Sequence, residues 1–212
     1  MSLIMKVNEE KTNTLLCLEY ANTLLWHASS HPQETLFSYV DLVGWSENVN
    51  AISKDQAKKL LGKARKEPEG VDQAFRRAIA FREVLYRIFS AVSHKRSPLD
   101  ADMIQLNNEL RESVSNGMVI GTGARFQWNL NIEQDNFDTP IMIIALSAAE
   151  LLVSERCNRI GQCADERGCG WLFLDTSKNY SRRWCDINDC GNRAKQRRHY
   201  EKSRRAKGQQ SA

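Results

Sequence analysis

Cys163, Cys169, Cys185 and Cys190 form two close pairs, C-x5-C and C-x4-C, separated by fifteen residues. Paired thiols at such a separation match the ligand pattern of a zinc site, each pair slightly wider than the commonest C-x2-C. Four thiolates complete a tetrahedral Zn²⁺ and leave no open position for water, so the chemistry expected is one structural zinc per chain and not zinc catalysis. Cys157, six residues before Cys163, could replace it as a ligand; alternatively it ends the preceding helix as a small apolar residue. Cys17 sits in a leucine-rich segment and reads as core.

The last pair runs directly into a basic stretch, "CDINDCGNRAKQRRHYEKSRR". From Ser181 to Ala212 ten Lys/Arg face three Asp/Glu, a charge of +7, which leaves −3 on the rest of the chain. A mildly acidic body with a strongly basic end points to a polyanion-binding end. A helix from Gly191 to Lys207 would be about 25 Å long. Its positive end would stabilise the Cys190 thiolate, and Arg193 and Lys195 would offset the −2 charge of a Zn(Cys)4 unit. Arg193, Arg197 and Arg204 fall on one face and Lys195, Arg198, Lys202 and Arg205 on another. The candidate nucleic-acid contacts are Arg182, Arg183, Asn192, Arg193, Lys195, Arg197, Arg198 and Lys202. Asn192 and Arg193 have the side chains for base reading; the structural alternative is that Asn192 caps the helix and Arg193 pairs with Asp186 or Asp189.

The elements that must position these residues follow from periodicity. Residues 12–27 read as a helix with Leu15, Leu16, Leu18, Tyr20 and Leu24 toward the core. "SYVDLVGWSENVN" offers a short helix packing Val40, Val43 and Trp45. Ser53 and Gln56 form a capping box at the start of the next helix, which Pro68 follows. The apolar recurrence from Val71 to His94 marks the central helix. Ser97-Pro98 opens another, with Met103, Leu106 and Leu110 on one face. "GMVIGTGARFQWNLNIEQD" reads as a β-hairpin, and Thr139-Pro140 starts a buried apolar helix reaching about Arg156. Between the cysteine pairs, "WLFLD" and "RRWC" are strand-like around the turn "TSKNYS".

The fold expected is therefore a mainly α N-terminal domain with one β-hairpin (α+β), over 1–157, followed by a small zinc-ribbon or treble-clef-like module of β-hairpin and helix, over 158–207, and a disordered tail, 208–212. The small module buries too little apolar surface to fold without its metal.

"CGWLFLDTSKNYSRRWCDINDCGNRAKQRR" resembles the zinc-finger module named for its Cys-Gly-Asn-Arg motif, here Cys190, Gly191, Asn192 and Arg193. "LCLEYANTLLW" followed by "YVDLVGW" resembles the helical domain that precedes it, described as a stress-induced transcription regulator. The two resemblances span nearly the whole chain. They imply a zinc-ribbon-like site with Cys163, Cys169, Cys185 and Cys190 as ligands, and nucleic-acid binding. Here the first cysteine pair is one residue wider than the common spacing, and Glu19 stands where Asp is usual.

The function expected is a zinc-containing bacterial transcription regulator binding DNA through the basic helix. The alternatives are an RNA-binding protein using Trp171, Trp184 and Tyr200 for stacking, and a protein- or small-molecule-binding chain in which zinc is a staple. For the last, Asn22, Trp26 and His27 would line a ligand pocket. A homodimer and a small-molecule effector fit the first reading. No enzyme is expected, since no paired carboxylates, nucleophile–base arrangement or phosphate loop emerges. "MSLIMKVNEEKTNT" carries no signal-peptide core and no apolar run has membrane length, so a cytoplasmic location without membrane contact is expected.

Overall fold

The apolar recurrence after residue 71 becomes one long helix, and the other elements are arranged against it. The computed structural model describes residues 3–4, 15–115, 117–123, 125–130 and 135–209. In chain order these form strand β1 (Leu3–Ile4), helix α1 (Leu16–Ala21), strands β2 (Leu24–Leu25) and β3 (Gln33–Glu34), helices α2 (Tyr39–Asn48), α3 (Lys54–Ala64), α4 (Pro68–Ser93) and α5 (Asp100–Val114), strands β4 (Gly117–Thr122) and β5 (Arg125–Leu130), and helix α6 (Thr139–Val153). A 3-10 turn, Glu155–Arg159, leads to strands β6 (Ile160–Gln162) and β7 (Leu172–Leu174). A π turn, Ile187–Gly191, then opens helix α7 (Asn192–Gln209).

Pro68 begins α4 at its first turn, where a missing N–H costs nothing. The helix buries Ala74, Ala78, Phe81, Leu85 and Phe89, the i, i+4, i+7 positions of one stripe. Against it pack α1, α5 and the almost wholly buried α6. The buried Ser147 accepts the Cys17 N–H (3.2 Å), and Tyr20 donates its hydroxyl to the Ala78 carbonyl (2.7 Å), so α1 is tied to both α6 and α4. The capping box of Ser53 and Gln56 is formed at the start of α3. Strands β4 and β5 make the expected hairpin, and β1 adds a third strand beside β5. The C-terminal end of that predicted hairpin, 131–134, and the first residues of the predicted 12–27 helix lie outside the described residues.

Four sequence expectations change. The first helix ends at Ala21, not at residue 27, because Thr23 Oγ1 turns back to the Tyr20 carbonyl (2.8 Å), β2 begins at Leu24, and Trp26 takes a positive φ of 56°. Val40 faces solvent, and α2 instead buries Tyr39, Leu42 and Val43. Helix α6 stops at Val153 and not near Arg156: Ser154 leaves the helical region and bonds the Leu151 carbonyl through its hydroxyl (2.8 Å).

The fourth change matters most for the site. Strand β7 pairs antiparallel with β6, not with "RRWC". Arg183 offers its carbonyl to Ala164 N–H (2.9 Å), so that segment lies beside the turn carrying the first cysteine pair. Ile160, Leu172 and Leu174 enter the same core as α1, α4 and α6. The hairpin is therefore seated on the helical body through its own apolar residues, while the cysteines form a separate small cluster with Trp26 and Trp184.

Candidate metal centre and basic helix

The β6–β7 hairpin carries Cys163 and Cys169 in its connecting turn. Gly168 and Gly170 have φ of +89° and +68°, conformations that L side chains rarely adopt. A Cβ at Gly170 would also lie 2.4 Å from the Tyr86 hydroxyl, so this turn is both tightly wound and pressed onto α4. Cys163 N–H bonds the Trp171 carbonyl at 2.9 Å, closing the turn. Of the second pair, Cys185 lies two residues before the π turn and Cys190 within it; Asp186 accepts the Asn188 N–H (2.6 Å) and Gly191 N–H reaches the Asp186 carbonyl (3.0 Å). Between the pairs, buried Asp175 accepts backbone N–H groups of Ser177 (2.8 Å) and Arg182 (3.0 Å), which folds the "TSKNYS" loop over.

The ligand atoms of Cys163, Cys169, Cys185 and Cys190 all lie within 4.8 Å of one another. The Cys169–Cys185 and Cys185–Cys190 sulfurs are 3.7 and 3.5 Å apart, too far for disulfides and near the roughly 3.8 Å edge of a tetrahedron with Zn–S bonds of about 2.3 Å. Hydrogen bonds from Cys169 and Cys185 pull the Cys163 thiol down, the same crowding pushes Cys169 and Cys185 up, and burial pushes Cys190 up. Four thiolates cannot share this space without a cation, and one divalent ion removes the conflict. The donor set fits zinc as a closed site, with no fifth group among the described residues. Cys157 is outside it, half-buried in the 3-10 turn and packed on the main core.

Three arginines converge on one carboxylate beside the sulfurs. Asp165, with a fully buried side chain, takes Arg167 (3.4 Å), Arg193 (3.3 Å) and Arg197 (3.3 Å). Burial works against its charge, but these partners and the Arg167 N–H hold it below the usual carboxylate range. Arg193 also donates Nη2–H to Cys190 Sγ (2.8 Å), pairs with Asp189, and lies over the Trp26 ring. Burial opposes its charge; the Cys190 sulfur, Asp165 and Asp189 outweigh that and hold it above the ordinary arginine value. Arg197 adds a bond to Glu166. Arg182 bonds the Trp184 and Cys185 carbonyls and covers the Phe173 ring. Asn192 has helical geometry and donates to the Asn188 carbonyl (2.9 Å) from within the helix start.

Of the eight residues expected to touch nucleic acid, Arg182, Arg193 and Arg197 are thus engaged inside the module. Lys195, Arg198 and Lys202 are exposed on the other face of α7 and make no ion pair among the described residues; Arg183 is exposed beside the Trp184 ring. The sequence reading did not find Asp165. Its position inside the first cysteine pair was a signal, but two of its three arginine partners lie 28 and 32 residues away.

Asn22, Trp26 and His27, the residues expected to line a ligand pocket, each have partners within the protein. Buried Asn22 accepts the Leu172 N–H and donates to the Leu172 carbonyl, both at 2.8 Å, as a strand would. Trp26 packs on the cysteine cluster. His27 stacks on Tyr86, ring centroids 3.4 Å apart, and meets Glu83 at 2.8 Å. Tyr86 in turn donates to the Gly170 carbonyl (2.9 Å) and accepts from Gln162 (2.6 Å). All three residues are spent on the joint between body and metal centre.

Fold and site together define a helical body bearing a closed four-sulfur metal centre at the root of a basic helix. The chain belongs to the family described as "Putative stress-induced transcription regulator" (ABATE), whose model matches residues 15–155, and it carries a CGNR zinc finger over residues 159–203. No curated protein matches it. Among the described residues no helix is long and apolar enough to cross a membrane.

Proposed function

We propose that the chain is a nucleic-acid-binding transcription regulator in which zinc fixes α7 and the outward face of that helix lies along a duplex DNA backbone. One observation carries this reading: Lys195, Arg198 and Lys202 share an exposed face free of ion pairs among the described residues, next to exposed Arg183, while Arg193 and Arg197 on the opposite face are neutralised within the module. Cations without carboxylate partners are the ones that can replace counterions on phosphates. The helical body would then receive the signal, and the Asn22 and Tyr86 contacts would pass it to the metal centre.

Binding of mixed-sequence duplex DNA, followed by fluorescence anisotropy across a salt series, tests it. The four cations predict a log–log slope of about −3.6, and the combined change Lys195→Gln, Arg198→Gln, Lys202→Gln should flatten it by about 2.7 with zinc content unchanged. Binding that is undetectable at low salt, or a slope indifferent to the triple change, would refute the proposal. Single-stranded RNA is the second reading, favoured by the exposed rings of Tyr200 (65%) and Trp171 (37%) as stacking surfaces. Direct competition between the two nucleic acids separates them.

A further inference from the structure

We infer that Arg193, the arginine of the Cys-Gly-Asn-Arg signature, is a positioning residue of the metal centre and not a nucleic-acid contact. Its guanidinium makes four contacts that join three separate pieces of the molecule. Nη2–H donates to Cys190 Sγ at 2.8 Å, Nε–H to Asp165 at 3.3 Å and Nη1–H to Asp189, while the plane covers Trp26 with 5.2 Å between guanidinium carbon and ring centroid. Cys190 and Asp189 belong to the turn that opens α7, Asp165 to the turn holding the first cysteine pair, and Trp26 to the helical body.

The local charge supports the assignment. Arg167, Arg193 and Arg197 face Asp165, Glu166 and Asp189, so their charges cancel. A zinc bound by four thiolates adds −2 beside them. This side of α7 therefore has no surplus positive charge for a phosphate; the surplus lies on the Lys195, Arg198 and Lys202 side. A lysine is a poor replacement for Arg193, because its three donors share one nitrogen, whereas the sulfur and the two carboxylates are each met by a different guanidinium nitrogen. Metal occupancy, the direction of α7 and the seating of the centre on Trp26 are then a single event, with Arg193 as the common pin. Hydrogen bonds to metal-bound thiolates from such outer groups also set how firmly the metal is held.

The test compares full-length wild type with Arg193→Gln and Arg193→Lys; its two metal readings do not depend on nucleic-acid binding, and its third rests on the proposed function. Zinc transfer to a chromogenic chelator should be at least about tenfold faster in the Gln variant, with Lys in between. In cadmium-substituted protein the ¹¹³Cd resonance should shift in the Gln variant, reporting the lost N–H···S bond; a general loosening far from the sulfurs would leave it in place. At saturating zinc the DNA salt slope should equal that of wild type. Wild-type zinc transfer and an unmoved cadmium resonance would overturn the inference, as would a salt slope that falls by about 0.9, the value for one lost phosphate contact. If the Gln variant does not fold, the Lys variant carries the zinc-transfer and cadmium readings, and wild-type values in both would overturn the inference.

Discussion

Each half of the molecule is organised around one arginine, buried Arg82 in the body and half-buried Arg193 in the metal module, and the two are used differently. In the body, Arg82 is 2% exposed and holds Glu34 bidentately (2.6 and 2.7 Å) and Glu83 (3.0 Å). It stitches β3 to α4 inside a region already filled by Phe81, Leu85 and Phe89. In the metal module, Arg193 works where little apolar material is present, and its partners include a sulfur that itself needs a cation. The body has its core whether or not its ion pairs form. The module's cysteine cluster has no such reserve, so its order depends on charge neutralisation by zinc and arginine together.

The largest effect should come from removing a sulfur. Cys163→Ser is expected to abolish stoichiometric zinc, measured by elemental analysis, and to disorder 181–209, whereas Cys157→Ser should leave zinc at one per chain. Zinc-finger peptides gain roughly 10–16 kcal/mol of apparent binding energy, far more than the contacts left behind could replace. Equal zinc loss in both variants would break the contrast between the two regions.

Next in size is Arg82→Ala, which strands Glu34 and Glu83 and should destabilise the body by about 3 kcal/mol in urea unfolding. Its pH dependence sharpens the comparison. Burial raises both glutamates, but Arg82, joined at Glu83 by His27, outweighs it and holds them below their ordinary 4.5. A depressed carboxyl stabilises fully above its unfolded value and loses that contribution as pH falls through the folded one. The gap between wild type and Arg82→Ala should therefore be constant above about pH 4.5 and close below it. A gap that widened in acid would contradict the assignment.

Smaller again is Asn22→Ala, expected to cost about 1–3 kcal/mol by leaving the Leu172 N–H and carbonyl unpaired in a buried place. Because this joint links body to hairpin, the loss should appear in both regions. A loss confined to α1 would mean the joint carries no coupling.

The four ligands were legible because their spacing is local and thiols at such intervals have few other uses. Helix α4 was legible for the same kind of reason: one stripe repeated over 26 residues. Arg82 sat on that stripe, four residues after Ala78 and three before Leu85, and its place there was itself a signal of a buried ion pair. What could not be read was long-range. Asn22 meets Leu172 across 150 positions, and a helix-end asparagine gives no hint of imitating a strand. The pairing of β7 with the three-residue β6 was hidden by the shortness of "IGQ" next to the more strand-like "RRWC". Helical spacing puts Arg193 and Arg197 on one face of α7, but that this face turns inward depends on Asp165, a residue outside the helix.

Hydrogen–deuterium exchange with and without a zinc chelator tests the contrast between the regions most directly. The account predicts that amides of 181–209 lose protection when zinc is removed, that β6 and β7 keep most of theirs through Ile160, Leu172 and Leu174 on the main core, and that α4 and α6 do not change. Loss of protection in α4 together with α7, or none in either, would contradict it.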